Sequence, residues 1–291
     1  CSIASPLPYL GLGFSYLGLG RWREAALVLE EAVELPGDPV QQAQAGMAVV
    51  QCWHELKRYD RAVAAADVWL AKFEEKAAPT DTAKVRFLLA QARYDAQDFS
   101  EAAKEFEALA VKLPKEELVP QAMLMAGLAH LMADDTEAAV TQFKELLRRF
   151  DHLPVAEDAD YWLGMALSFD KQYQPCRDHL ERHLKKYAKS GRYAPAAEFK
   201  RAYCLFAVAQ YDDAIAELQE YQIRHPQGAD IGEAEVLRGD ALCSLGQIDE
   251  GLASYEAVSV SDDHWYDEAQ FKIGNVWKLR QDWPALQAHY E

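Results

Sequence analysis

The chain has 291 residues, of which 50% are hydrophobic and 26% are charged, a composition typical of ordinary soluble proteins. Its 47 acidic and 30 basic side chains give a formal net charge of −17, which repels phosphate backbones and anionic lipids and argues against nucleic acid as a partner. No apolar run is long enough to predict a transmembrane segment.

Hydrophobic residues recur every three to four positions from about residue 8 onward, which is the period of helices with one buried face. The pattern is interrupted by turns and resumes about eight times. It ends at proline after the third and sixth copies, at Pro114 and Pro226, because proline cannot continue a helix. No Ser-rich or Gly-rich linker divides the series, so we expect one domain over residues 1–291. The predicted helical hairpins are 8–39, 40–78, 79–118, 119–154, 155–191, 192–228, 229–261 and 262–291.

The clearest hairpin is residues 198–226. We expect its first helix to bury Ala202, Leu205 and Phe206 and to end near Ala209. A small residue, an aromatic or large one nine positions later, a small one three further on and a large one four beyond recur along the chain. The small residues of the first helices are Gly13, Val50, Ala90, Gly127, Gly164, Ala202, Gly239 and Gly274. A small residue lets two helices approach closely, and the large residue fills the space beside it.

This pattern resembles the tetratricopeptide repeat. Leu163–Gly164 matches the leucine-glycine pair of that repeat, and Tyr211, Ala214, Leu218 and Pro226 match its later positions. The resemblance implies an all-α, right-handed superhelical solenoid of about eight helix-turn-helix repeats, which acts as a non-catalytic protein-protein interaction scaffold. The period of 35 to 40 residues is similar to that of arrays in bacterial cell-envelope proteins, which implies the periplasm or cell envelope rather than the cytoplasm.

In this family the first helices line a concave groove, where a peptide or helix of a partner protein binds. Carried over to this chain, the resemblance places mostly apolar and aromatic side chains on that groove. They are Phe87, Gln91, Tyr94, Leu128, Tyr161, Met165, Phe169, Phe199, Tyr203 and Phe206. Aromatic surface favours protein partners. The resemblance places Leu124 on the same groove. An alternative interpretation is that several of these side chains, among them Phe87, Leu124 and Phe199, are core residues between neighbouring helices.

The later first helices carry Glu233, Asp240 and Glu268, which favours a basic partner. The carboxylate clamp found in some family members is not predicted, because its lysine and asparagine positions are mostly aromatic or aliphatic here. An asparagine ladder is not predicted either, since Asn275 is the only asparagine in the chain. The sequence therefore predicts recognition mainly by apolar contact.

Candidates for catalysis or metal binding are few. His179 and His183 lie four residues apart on one predicted helix, but Glu181 stands between them in the wrong place for a zinc-protease motif. His183 also falls at a position that the family usually buries. No phosphate-binding glycine loop, nucleophile elbow or dinucleotide fingerprint occurs. We expect no catalytic residue, no metal and no cofactor.

The cysteines Cys1, Cys52, Cys176, Cys204 and Cys243 are odd in number and show no close spacing, which argues against a disulfide framework or a zinc site. Cys176 takes a position where the repeat favours alanine, as a small buried residue. Cys1 is either the lipid-modified end of a processed lipoprotein or a cut through a longer protein.

Two further alternatives stay open for the whole array. It is a regulatory or targeting arm of a larger enzyme, or a lipid-anchored periplasmic adaptor of an envelope assembly. We expect the chain to be part of a longer one, because it stops inside the eighth hairpin. An apolar helix face near Ile273, Trp277 and Tyr290 then predicts self-association through that end.

Overall fold

The computed structural model describes residues 5–187 and 191–290, and all regular secondary structure within them is helical. The predicted all-α repeat solenoid is confirmed, since the helices follow one another in eight pairs. Cys1 lies outside the described residues. The helices are α1 (Leu7–Gly18), α2 (Trp22–Glu34), α3 (Pro39–Glu55), α4 (Tyr59–Phe73), α5 (Pro79–Asp95), α6 (Phe99–Lys112), α7 (Val119–Met132), α8 (Thr136–Phe150), α9 (Val155–Phe169), α10 (Tyr173–Tyr187), α11 (Ala194–Ala207), α12 (Tyr211–Arg224), α13 (Ile231–Ser244), α14 (Ile248–Glu256), α15 (Asp263–Leu279) and α16 (Trp283–Tyr290).

The chain divides into two compact units, with the boundary between Ala159 and Asp160 inside α9. In the first unit the helices α1, α3 and α5 pack on one another, and each also packs on its neighbours in sequence. In the second unit α11, α13 and α15 do the same. In each unit these three first helices thus form a continuous layer, as stacked repeats require. Of the helices described, none has the length and apolar character needed to cross a bilayer.

Each helix pair is closed where a small residue of the first helix faces a large residue of the second. A Cβ atom placed on Gly164 would lie 2.6 Å from the Cδ2 atom of Leu180, and one placed on Gly127 would overlap the Phe143 ring. Leu180 and Phe143 are fully buried. The second pair, in which Ala66 stands at the large position, carries Val50 at the glycine position instead. The two positions therefore share one close-packed volume.

The turn inside each pair contains one residue in the left-handed backbone region, seven positions after the small residue. The residue after it donates its amide to a first-helix carbonyl, as Gln210 does to Leu205 at 3.0 Å, which ends the first helix. The eight left-handed residues, with φ between 55° and 80°, are Gly20, Lys57, Gln97, Asp134, Lys171, Ala209, Gly246 and Gln281. Only two of them are glycine, so six repeats adopt this backbone at a steric cost.

Candidate partner-binding surface

Two of the predicted groove residues, Tyr161 and Phe199, lie in the core. Tyr161 is 8% exposed, and its ring stacks on Tyr193 with the centroids 4.2 Å apart. Phe199 is 4% exposed and packs on Tyr221. The prediction that these two side chains are offered to a partner is therefore wrong.

The physical reason lies in the repeat position that these residues share, three before the small residue of the first helix. Leu124 and Val236 occupy the same position in other repeats, and both are buried as well. Phe87 is half-buried at this position, with its ring edge-on to the core residue Phe106 at 5.3 Å. In these repeats the position faces the neighbouring helices, so the core interpretation holds for Tyr161 and Phe199.

The remaining predicted residues of the first unit are half-buried. They are Gln91, Tyr94 and Leu128. The ring of Tyr94 packs edge-on against Phe99 at 5.2 Å, and burial raises the pKa of its hydroxyl. These side chains present part of their surface, and the rest supports the local packing.

Among the predicted groove residues, those of the second unit offer the more exposed apolar surface. Phe169, in the last turn of α9, is 55% exposed. Met165, Tyr203 and Phe206 are half-buried. The Tyr203 ring lies edge-on to Tyr173 at 6.2 Å, and Phe206 packs against Tyr211 at 5.6 Å. These contacts fix the rings in place while leaving part of each accessible to a ligand.

Charged groups surround Tyr203. The Lys200 ammonium lies 4.4 Å from the centroid of the Tyr203 ring, a cation-π contact. Glu233 on α13 is half-buried, and burial raises the pKa of its carboxyl, with Lys200 acting in the opposite direction. Glu233 makes no hydrogen bond or ion pair within the part of the chain that the structure describes. A cationic group of a partner would favour the charged form of this carboxylate.

The other two predicted acids are already paired within the chain. Asp240 accepts hydrogen bonds from the Tyr255 hydroxyl at 2.7 Å and from the Lys272 ammonium at 2.9 Å. Glu268 lies 3.5 Å from the same ammonium. Of the three, Glu233 is thus the acid best placed to meet an external cation.

The two histidines considered as metal ligands both face Asp160 in the interior between α9 and α10. His183 Nδ1 lies 2.8 Å from the Asp160 carboxylate, and His179 Nε2 lies 2.8 Å from the Asp160 carbonyl oxygen. His183 is 1% exposed, so its predicted burial is confirmed. Burial lowers the pKa of His179, although Asp160 acts in the opposite direction. Both rings have internal structural partners.

A cavity of about 360 Å³, which was not predicted from the sequence, lies between α2, α3 and α4 in the first unit. Trp53 and Trp69 line it, with the exposed Val68 beside them. Gly46 leaves room for Trp69, whose ring nitrogen donates to the Ala43 carbonyl at 2.7 Å. In the sequence, two tryptophans and a glycine within predicted helices could have indicated this cavity. The cavity is mostly apolar and has room for a hydrophobic side chain.

The apolar face predicted for self-association differs in part from the expectation. Ile273 is 3% exposed and belongs to the core of the second unit, so it is wrongly placed on that face. Tyr290 is exposed as predicted, Trp277 is partly buried, and Leu279 and Trp283 are exposed as well. Self-association through this end stays a prediction.

Comparisons with known proteins identify the repeat. A sequence profile described as Tetratricopeptide repeat matches residues 10–82, 87–141 and 124–168, and a second profile of that description matches residues 196–228. No curated protein matches the chain in sequence.

Solved structures share the fold at low sequence identity. The C-terminal part of a TPR repeat-containing protein from Cytophaga hutchinsonii is 15% identical, with a TM-score of 0.65, covering 89% of this chain and 98% of that one. A tetratricopeptide repeat protein from Parabacteroides merdae is 11% identical, with a TM-score of 0.56, covering 87% and 91%. A STAND signal transduction ATPase with a tetratricopeptide repeat sensor from Pyrococcus horikoshii is 14% identical, with a TM-score of 0.60, covering 98% of this chain and 44% of that one. With the profile matches across most of its length, the chain belongs to the tetratricopeptide repeat family.

Proposed function

We propose that the chain is a non-catalytic scaffold whose second unit binds a peptide or helix of a partner protein. The tetratricopeptide fold supports a protein-protein interaction role in general, and members of this family generally do not catalyse reactions. The observation that carries the finer proposal is the accessible Tyr203 ring near the half-buried, unpaired carboxylate of Glu233.

The apolar part of the binding energy would come from Met165, Phe169, Tyr203 and Phe206. Phe169 projects most of its side chain into solvent, and the three others are partly covered by the helices. Aromatic rings supply large contact area at a low cost in conformational entropy. Because the contacts with Tyr173 and Tyr211 already orient the rings, little ordering is needed on binding.

The charged part would come from Glu233, which supports a partner with a lysine or arginine beside an apolar side chain. The carboxylate is disfavoured by burial, so a cation that reaches it replaces the solvation it has lost. Lys200 lies above the Tyr203 ring and also acts electrostatically on Glu233. A ring and a carboxylate this near one another favour a segment whose basic residue stands beside an apolar one.

Site-specific photocrosslinking tests the proposal. A photoreactive phenylalanine analogue is placed at Tyr203 or Phe169, and in a matched control at Ile223, an exposed residue of the second helix α12. In lysate from the source organism we expect one protein to crosslink from positions 203 and 169 but not from 223. Equal crosslinking from position 223 would contradict the proposed surface.

The crosslinked segment is then synthesised, and its affinity is measured by calorimetry. We expect Tyr203→Ala or Phe206→Ala to weaken binding roughly tenfold, as truncation of a central aromatic contact does. Glu233→Gln should lower the affinity for a peptide that carries its basic residue. It should leave unchanged the affinity for a peptide in which that residue is replaced by glutamine. Equal loss for both peptides would rule out the assigned role of Glu233.

A further inference from the structure

Two cysteines that lie 28 positions apart in sequence are neighbours in the second unit. The Sγ atoms of Cys176 on α10 and Cys204 on α11 are 3.2 Å apart, and both side chains are fully buried. Sequence spacing argued against a disulfide because no cysteines stand close together along the chain. The packing of α10 on α11 brings these two together.

We propose that Cys176 and Cys204 are a modification site, at which a peroxide oxidises the two thiols to a disulfide bond between α10 and α11. The sulfurs of a disulfide are about 2.0 Å apart, so they must approach by only about 1 Å. The site goes beyond the proposed partner binding and does not depend on it.

The surroundings of the two thiols differ, which assigns them different chemical roles. The hydrogen bond shared with Cys176 lowers the pKa of Cys204, burial opposes this, and Lys200 and Arg177 act in the same direction as the hydrogen bond. The same pairing and burial raise the pKa of Cys176. Cys204 is therefore the thiolate that attacks, because the thiolate is the reactive form of cysteine.

The reaction balances with one peroxide molecule. The Cys204 thiolate attacks one oxygen of hydrogen peroxide, the O–O bond breaks, and the released hydroxide takes up a proton to leave as water. The product is a sulfenic acid at Cys204. The Cys176 sulfur then attacks the Cys204 sulfur, the S–OH bond breaks, and a second water leaves with the Cys176 proton. The two thiols have lost two electrons, and the peroxide has gained them.

Cys52 provides a comparison within the same chain. It occupies in the second repeat the position that Cys204 occupies in the sixth, two residues after the small residue of the first helix, and it is equally buried. Ala25, on the second helix of the preceding repeat, stands where Cys176 would be required. Burial raises the pKa of Cys52 to about 11. Cys52 is therefore as buried as the pair but has no cysteine at the partner position with which to form a disulfide.

The bond would act on the surface formed by α10 and α11. Tyr173 and Tyr203, whose rings are in edge-on contact, belong to the same two helices as the cysteines, and Tyr203 directly precedes Cys204. A covalent link between the helices would fix the separation of these rings. It would also restrict the unfolded chain, which stabilises the folded state.

The test treats the folded full-length chain with hydrogen peroxide, removes the peroxide, and blocks free thiols in denaturant before tryptic digestion. We expect peptide 172–177 linked to peptide 202–224, with the mass of two hydrogen atoms lost, while Cys52 is recovered as blocked thiol. The midpoint of thermal unfolding should rise by several degrees and return when a reductant is added.

Cys176→Ala and Cys204→Ala are the control variants. Other repeats carry alanine at these positions, for example Ala214 and Ala241, so both variants should fold, which circular dichroism checks. Neither should form the linked peptide or gain thermal stability with peroxide. Oxidation of the wild type only to sulfinic acid, or linkage of Cys52 as frequent as that of Cys204, would overturn the proposal.

Discussion

His183 holds the carboxylate of Asp160 through its Nδ1 atom at 2.8 Å, in the interior between α9 and α10. Asp160 is 8% exposed and His183 1%. The carbonyl oxygen of the same aspartate accepts from His179 at 2.8 Å. One residue of α9 thus bonds to one nitrogen of each of two rings of α10, while His183 Nε2 has no partner among the described residues. A buried polar group that loses its partner is costly.

Removal of this acceptor should destabilise the second unit. Asp160→Ala leaves His183 Nδ1 buried without a partner, and we expect the free energy of unfolding to fall by about 1–3 kcal/mol. Asp160→Asn keeps a side-chain oxygen at the same place and should lose less. Urea titration followed by circular dichroism measures both, and equal losses would show that the hydrogen bond does not stabilise the fold.

Acid should weaken the same region through His179. Its pKa in the folded chain is lowered from the usual value of 6.5, chiefly by burial, with Asp160 opposing this and Arg182 and His183 adding to it. Below pH 6.5 the unfolded chain binds a proton that the folded chain does not, so stability is full above that pH and is lost as the pH falls through the folded pKa. We expect the free energy of unfolding to decrease on acidification.

Two variants test whether His179 causes this decrease in the free energy of unfolding. His179→Gln keeps a donor for the Asp160 carbonyl and should flatten the pH dependence in this range. His152→Gln, which changes an exposed histidine in the turn after α8, should leave it as it is. If the two variants gave the same pH profile, the loss of stability would have to come from other groups.

The small and large positions of a helix pair should show strong coupling. Gly127→Val adds atoms where the Phe143 ring lies, and overpacking of this kind costs about 1–3 kcal/mol. Phe143→Ala opens a cavity and costs about 3–5 kcal/mol. The double variant recreates the Val50 and Ala66 combination of the second pair, so we expect it to lose less than the sum. Additive losses in the double-mutant cycle would contradict shared packing.

The left-handed turn residues allow a stabilising change. Ala209 has φ of 59°, which costs a residue with a Cβ atom about 1–2 kcal/mol. We expect Ala209→Gly to raise the free energy of unfolding by about 1 kcal/mol, since glycine adopts this region freely. Ala216→Gly, in the exposed part of α12, should instead lower it by about 1 kcal/mol. A loss in both variants would mean that the turn is not strained.

Hydrophobic periodicity was sufficient to predict the helix pairs, because the small and large residues repeat in register and pack against each other within a pair. The break near Ala209 is found where expected, between α11 and α12. Periodicity alone could not separate groove from core, since Tyr161 and Tyr203 both lie on the first-helix layer and differ in which neighbouring residues cover them. The contact of Cys176 with Cys204 depends on packing between repeats, which spacing along one chain does not encode. The left-handed turns were not predicted, because six of the eight residues that adopt this backbone are not glycine.

Tyr161 and Tyr203 should therefore respond oppositely to truncation. Tyr161 stacks on Tyr193 at 4.2 Å and is almost fully covered, so Tyr161→Ala removes a core ring and should cost about 3 kcal/mol or more of folding stability. Tyr203 keeps part of its ring accessible. Tyr203→Ala should therefore cost much less folding stability, while it weakens binding of the partner peptide. Chemical denaturation and calorimetry on the same two variants separate the effects. A Tyr203→Ala protein as unstable as Tyr161→Ala would place Tyr203 in the core as well and remove it from the binding surface.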